Sequence, residues 1–299
     1  RSTRDLNRDL FEVTLNSDTT GGNYPHQEVN ANDTSINASA TSARYIGWVP
    51  GNNGDTGAFG AYVGQFVNYS DGANDRTILS FSGGISEVGD GTGSSIRLFT
   101  SRWNNTAAIT SIVLNPEHGS SPTFLAGSML STYAVPKNLI ARQEISGDTA
   151  AITFSDIPQT YDHLELTVYA RADHNNQYGC EVYCEFNGDT TATNYHTQRF
   201  RGMGTASNCL SQNYQPIGGI SSEHAGTNVF GSITSTIYNY TKADRQKNYI
   251  SSSGNPRGDA TSQVMLRSNR WADTDAITSI RLYPQSSTNF MAGSVFELR

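Results

Sequence analysis

One stretch occurs twice in this chain, and it constrains the fold more than any other feature. It reads Arg102-Trp103-Asn104-Asn105-Thr106-Ala107-Ala108-Ile109-Thr110-Ser111-Ile112-Val113-Leu114-Asn115-Pro116, and later Arg270-Trp271-Ala272-Asp273-Thr274-Asp275-Ala276-Ile277-Thr278-Ser279-Ile280-Arg281-Leu282-Tyr283-Pro284. In both copies an Arg-Trp pair closes one segment and a polar run makes a turn. Ile, Ile and Leu then follow at strand spacing (Ile109, Ile112, Leu114; Ile277, Ile280, Leu282) before a proline stops the strand. The pattern reads as a hairpin used twice.

The match extends outward, as a domain duplication would. Phe59-Gly60 answers Phe230-Gly231, and Asn68-Tyr69-Ser70 answers Asn239-Tyr240-Thr241. Asn16-Ser17-Asp18-Thr19-Thr20 with Asn23-Tyr24 answers Asn187-Gly188-Asp189-Thr190-Thr191 with Asn194-Tyr195, and Phe124 to Ser128 answers Phe290 to Ser294. The offset is 171 at Asn68 and Asn239, 168 at the tryptophans and 166 at Phe124 and Phe290, so only small insertions separate the copies. The expectation is two homologous domains in tandem, 1–135 and 139–299, joined by a short linker at 136–138 that carries Pro136. The second copy opens with Ala150 to Phe154 and His163 to Ala170, two strand patterns with no counterpart in the first, where Arg1 aligns with about Arg171. The first domain is therefore expected to lack its opening strands in this chain. It would take their pairing from upstream residues or from a neighbour, because an unpaired interior edge invites aggregation.

Composition narrows the class: 299 residues suit two domains, and charged residues make up only 16%. Short Val, Ile, Tyr, Phe and Thr runs between Gly, Asn and Asp predict an all-β chain. With about eight or nine short strands in about 160 residues, each domain is expected to be an antiparallel, jelly-roll-like β-sandwich. Phe11, Val13 and Leu15, with their counterparts Val182, Cys184 and Phe186, read as half-buried strands. The polar spans His26–Ser42 and Met203–Gln215 read as long surface loops. Ala58–Tyr69 and Val229–Tyr240 read as the longest strands, with Phe124–Tyr133 and Phe290–Leu298 closing the domains. No apolar run reaches the roughly 18 residues needed to span a bilayer. A net charge of -7 without a basic cluster argues against a nucleic-acid partner.

The candidate reactive side chains read as plainer structural ones. His26 and His196 lie at nearly equivalent places beside Tyr24 and Tyr195 and read as polar loop histidines rather than acid/base groups. Asp273 and Asp275 could pose as a glycosidase pair, but their counterparts are Asn105 and Ala107, so a solvated turn is preferred. The loops at Asp71-Gly72 and Asp90-Gly91-Thr92-Gly93 read as tight turns rather than calcium sites. Cys180 and Cys184, four positions apart in one strand, would lie ~13 Å apart and cannot bond to each other. Pairing of either with Cys209 stays open, with buried free thiols the default, since the first copy has no cysteine. No metal or cofactor set stands out. Trp103 and Trp271 read as equivalent core plugs. Trp48, opposite Gly219, and the tyrosines Tyr24 and Tyr195 are the candidates for a partner or glycan contact, with core packing special to domain one the favoured alternative for Trp48.

The run Ala151-Ile152-Thr153-Phe154-Ser155-Asp156-Ile157-Pro158-Gln159-Thr160-Tyr161-Asp162-His163-Leu164, then Phe186-Asn187-Gly188-Asp189 with Asn194-Tyr195, then Trp271 with Ala276-Ile277-Thr278-Ser279-Ile280, resembles a domain of tailed-bacteriophage structural proteins. The resemblance covers 138–299 and, without its opening strands, 1–135. It implies a building block of tail fibres, other appendages or head-surface proteins on the virion, with other virion proteins as partners. It carries over no catalytic residue. A non-enzymatic tail fibre or spike, assembled as a homo-oligomer such as a trimer, is the leading expectation. Capsid decoration, a module binding host-surface glycan and, last, a polysaccharide-cleaving enzyme are the alternatives.

Overall fold

The computed structural model describes residues 1–3, 8–32, 35–53, 59–70, 72–84, 95–117, 123–132, 139–175, 179–255 and 262–299. The proposed linker 136–138 and the Asp90–Gly93 loop lie outside them, as does Asp71 of the other Asp-Gly loop. The β-rich composition becomes strands nearly throughout: among the described residues the only helical elements are four three-residue 3-10 turns. The chain divides into two units. Unit 1 is mainly residues 1–135, with 202–207 and 256–262 counted in it; unit 2 takes the rest from 136 onward.

Unit 1 holds β1 (Arg8–Leu15), β2 (Pro25–Asn32), β3 (Ser35–Ser42), β4 (Tyr45–Pro50), β5 (Ala61–Val67), β6 (Arg76–Gly84), β7 (Ser95–Trp103) and β8 (Ile112–Pro116). They form a three-stranded sheet, β4-β1-β8, and a five-stranded sheet, β3-β2-β7-β6-β5, with antiparallel neighbours throughout. The alternation in β1 puts Phe11, Val13 and Leu15 into a core with Tyr24, Ile46, Ile78, Trp103 and Ile109.

Unit 2 holds β9 (Ala141–Glu144), β10 (Ile152–Phe154), β11 (His163–Ala172), β12 (Gly179–Phe186), β13 (Tyr195–Met203), β14 (Ala206–Gln212), β15 (Pro216–Ser222), β16 (Gly231–Tyr238), β17 (Lys247–Asn255), β18 (Gln263–Trp271), β19 (Ile280–Pro284) and β20 (Val295–Leu298). The run β10-β19-β12-β15 matches the small sheet of unit 1 in kind, and β16-β17-β18-β13-β14 matches the large one. The addition is β11, flanked by β16 and by β20, with β9 outside β20. Leu164, Leu166, Val168 and Ala170 of β11 are each 0% exposed, so this strand supplies the middle of the core. It also meets β15 through one short parallel pairing, Arg171 with Ser221 and Ala172 with Ser222.

Several expectations change. The repeated anchor is not a hairpin, because Trp103 ends β7 in the large sheet whereas Ile112 starts β8 in the small one. The polar run is a crossover between sheets, repeated from Trp271 to Ile280. Asn16 fixes it from the end of β1: its Oδ1 accepts from the N–H groups of Thr110 and Ser111 at 2.8 and 3.0 Å, and its Nδ2 donates to the Ala108 carbonyl at 2.7 Å. Asn187 holds Thr278, Ser279 and Ala276 in the same way at 2.8, 3.2 and 2.8 Å. Both asparagines sit at positive φ, 48° and 52°, a conformation asparagine tolerates better than most residues.

The polar spans expected as loops are largely strands. Pro25–Asn32 and Ser35–Ser42 pair as β2 and β3, and Ala206–Gln212 forms β14, six of whose seven residues are exposed. Strands polar on both faces leave no period-2 apolar signal. The longest strand of unit 2 is the ten-residue β11, not the segment ending at Tyr240. The expected closing strand of the first domain forms only a single bridge, Ser2 to Phe124, among the described residues 123–132. Its counterpart in unit 2 is β20, which pairs with β11. Gly231 is required by a close approach: an added Cβ would lie 2.7 Å from the Ile220 Cα and the Ser221 nitrogen.

Candidate functional site

The structure encloses all three residues expected to touch a partner or glycan: Trp48 is 1% exposed, and Tyr24 and Tyr195 are 0%. Their rings belong to the interior, so a surface contact has to come from other side chains. Tyr24 donates its hydroxyl to the Asp18 carbonyl at 2.9 Å and accepts from the Leu15 N–H at 3.0 Å. Tyr195 repeats both bonds with Asp189 and Phe186. Burial pushes the Tyr24 phenol up to about 12, and pushes Tyr195 up as well.

The tryptophans and the Asn-x-Asp runs join in one device. The Trp103 indole N–H donates to Asp18 Oδ2 at 2.8 Å, and Trp271 does the same to Asp189 at 2.8 Å. Asn23 or Asn194 adds a second donor to that oxygen, and the Thr20 or Thr191 N–H satisfies the other. Burial works against ionisation at both aspartates. The indole, amide and backbone donors outweigh it and hold each carboxyl below its ordinary value. The sequence reading missed a second repeated device, a buried cation at the start of β6 and β17. Lys247, 0% exposed, donates to the carbonyls of Lys242, Arg245 and Thr274 at 2.6 to 2.8 Å. Arg76, also 0% exposed, serves Tyr69, Asn74, Thr106 and Ala107. The signal available in sequence was a cation at the same offset of 171 in both copies.

The two histidines are not equivalent. Tyr24 aligns with Tyr195, so His26 aligns with Thr197, and one residue of shift in a strand reverses the face. His26 is 2% exposed with Nδ1 donating to the Ala43 carbonyl at 3.1 Å, and burial lowers its pKa. His196 Nδ1 meets Asn213 Oδ1 at 3.0 Å. Asp273 accepts from the Asp275 N–H at 2.9 Å, an Asx turn that Asn105 reproduces with Ala107 at 2.8 Å. All three cysteines are free thiols: Cys180 and Cys184 are buried, whereas Cys209 is exposed on β14, against the expectation that it too is buried. Burial raises the Cys180 pKa to about 11 and raises that of Cys184.

A polar cavity in unit 2 lies among several of the enclosed polar atoms that lack a partner among the described residues. Its volume is ≈ 120 Å³, and Cys180, Glu181, Arg201, Gly219, Asn255 and Gln285 are among its walls. Glu181 accepts from Arg199 at 3.1 Å, from Arg267 and from the Tyr214 hydroxyl at 3.2 Å. Two arginines thus hold one carboxylate, and Arg201 lines the same cavity. Arg267 is 1% exposed, and its Nε and Nη1, with the Nε atoms of Arg199 and Arg201, are enclosed without a hydrogen-bond partner among the described residues. Burial and the nearby Arg199 charge lower the Arg201 pKa.

Among the described residues no helix is long and apolar enough to cross a membrane. No protein-family model, curated protein or solved structure gives a significant match to the chain.

Proposed function

We propose that this chain acts by assembly, as a non-enzymatic structural protein of a bacteriophage particle, in a tail fibre, spike or similar appendage that meets the host. The observation that supports this reading is the open side of unit 1. Among the described residues strand β5 ends its sheet, and Val63 on it is 65% exposed; elsewhere in unit 1 Met129 and Leu130 are 90% and 62% exposed. The corresponding β16 of unit 2 is covered by β11 along eight residue pairs. An apolar, hydrogen-bond-competent edge in water recruits another strand, and assembly into a particle gives it one. Capsid decoration is the nearest variant of the same idea.

The exposed polar strands β3 and β14 are the surfaces offered to host glycans or to other virion proteins. Mass measurement of the protein purified from particles tests the proposal, with a homo-oligomer expected. A monomer absent from particles, or turnover of a polysaccharide in hydrolase assays, would defeat it. A glycan array tests the attachment role separately.

A further inference from the structure

The interior of unit 2 differs from that of unit 1 at one point with chemical consequences. Trp48 on β4 is 1% exposed, and an added Cβ on Gly84 would lie 3.2 Å from its ring. The counterparts in unit 2, at the same offset of 171, are Gly219 and Asn255. Both line the ≈ 120 Å³ cavity. Where unit 1 fills its interior with an indole, unit 2 leaves a polar space.

Charge follows the same division. In unit 1 the neighbouring interior holds a balanced pair, Arg97 with Glu28 at 2.9 Å. In unit 2 Arg199 and Arg267 both bind Glu181, and the enclosed Nε of Arg201, on the cavity wall, has no hydrogen-bond partner among the described residues. The set carries three guanidinium groups against one carboxylate. A partly enclosed guanidinium without an acceptor loses solvation and gains nothing in return. Asn255, Gln263 and Gln285 add amide groups to the wall, and the Glu181 carboxylate, which faces the same space, already accepts from two arginines and Tyr214.

We infer that this cavity is a binding site for a small oxyanion, a carboxylate or an inorganic phosphate or sulfate, held by the Arg201 guanidinium and the wall amides. Planar forked donors suit such anions. The volume lies below the roughly 300 Å³ at which drug-sized ligands are accommodated, so a small anion or the acid group of a larger molecule suits it best. This site is independent of the assembly reading, since it lies wholly within unit 2.

Calorimetry and thermal melts of the 299-residue chain with sodium phosphate, sulfate, acetate and glucuronate, against chloride at matched ionic strength, test the inference. Saturable binding of at least one anion is expected, with a rise in the melting temperature of unit 2. Arg201→Gln should weaken it about tenfold or more, equivalent to about 1.4 kcal/mol. Gly219→Trp, which places an indole where unit 1 has one, should abolish it. Arg281→Gln, which removes an arginine 44% exposed and paired with Glu185, should leave affinity unchanged. Glucuronate binding alone would assign the acid group to a sugar, and phosphate or acetate binding would assign a free anion. If Gly219→Trp does not fold, Arg201→Gln against Arg281→Gln still decides. No saturable binding, or equal anion effects in those two variants, overturns the site.

Discussion

Units 1 and 2 share their pins but not their filling. The Asp–Trp bond, the Asn that clamps the crossover, the buried tyrosine and the buried cation occur in both. The apolar core of buried residues has 26 members in unit 2 and eight in unit 1 among the described residues. Half of the difference, nine of 18 residues (26 minus 8), comes from β10, β11 and β20, which supply Ile152, Phe154, Leu164, Leu166, Val168, Ala170, Ala172, Phe296 and Leu298. The comparison teaches that polar pins near the crossover set the path of the chain, while the depth of the core depends on whether β11 is present to divide and cover the large sheet. Each fully buried aliphatic side chain contributes about 1.5–3 kcal/mol, so β10, β11 and β20 together contribute more to unit 2 than any single pin.

The largest expected effect follows directly. In hydrogen exchange on the intact chain, amides of β16 and β17 should be protected by orders of magnitude more than those of β5, because local opening is governed by buried contacts. Thermal unfolding should show unit 1 melting first. Equal protection of β5 and β16 would break the comparison, and would mean that β5 is covered by another copy in solution.

Removing the buried cation should come next. Lys247→Met leaves three carbonyls without their donor and should destabilise unit 2 by about 1–3 kcal/mol. Arg76→Met should act likewise on unit 1. Chemical denaturation followed by unit-specific probes measures both; a loss below about 1 kcal/mol at Lys247 would mean that water replaces the ammonium at little cost.

The Asp–Trp pin should have a smaller effect. Trp271→Phe removes a hydrogen bond to an ionised acceptor and should lower stability by about 2 kcal/mol. The pH dependence has a definite sign. Asp189 and Asp18 have folded pKa values below the ordinary 3.8, so their contribution is present above that value and fades as pH falls through the folded pKa. Asp189→Asn should therefore flatten the acid limb of stability below about pH 4. An acid limb unchanged in both Asp189→Asn and Asp18→Asn would remove the carboxylates from that role.

Much of this was legible in sequence. Alternation at Phe11, Val13 and Leu15, and at Val182, Cys184 and Phe186, gave the strand and its buried face, because a half-buried strand writes its period into the chain. The crossover after Trp103 was read as a hairpin because a strand looks the same whether its successor pairs beside it or in the opposite sheet. The β2–β3 pair and β14 were read as loops because both of their faces are polar. The Glu181 cluster left no local trace, since its partners Arg199 and Arg267 lie 18 and 86 positions away. Trp48 against Gly219 was visible as a difference between the copies, yet its meaning, a filled interior against an open one, needed the packing.

The smallest expected effect on stability belongs to the thiols, and it sharpens the comparison because only unit 2 has them. Cys209 is exposed, whereas Cys180 and Cys184 are enclosed and their thiolates are further disfavoured by burial. Native protein should therefore react rapidly with a thiol reagent at one site per chain, and at all three after denaturation. Cys209→Ser should abolish the fast phase and change stability by less than about 0.5 kcal/mol, as exposed substitutions do. In that variant, the slow labelling of Cys184 becomes a clock for the opening of unit 2 alone, with unit 1 silent. If labelling of Cys184 tracks the melting of β5 rather than of β16, the units open together and the separate stabilities argued above do not hold.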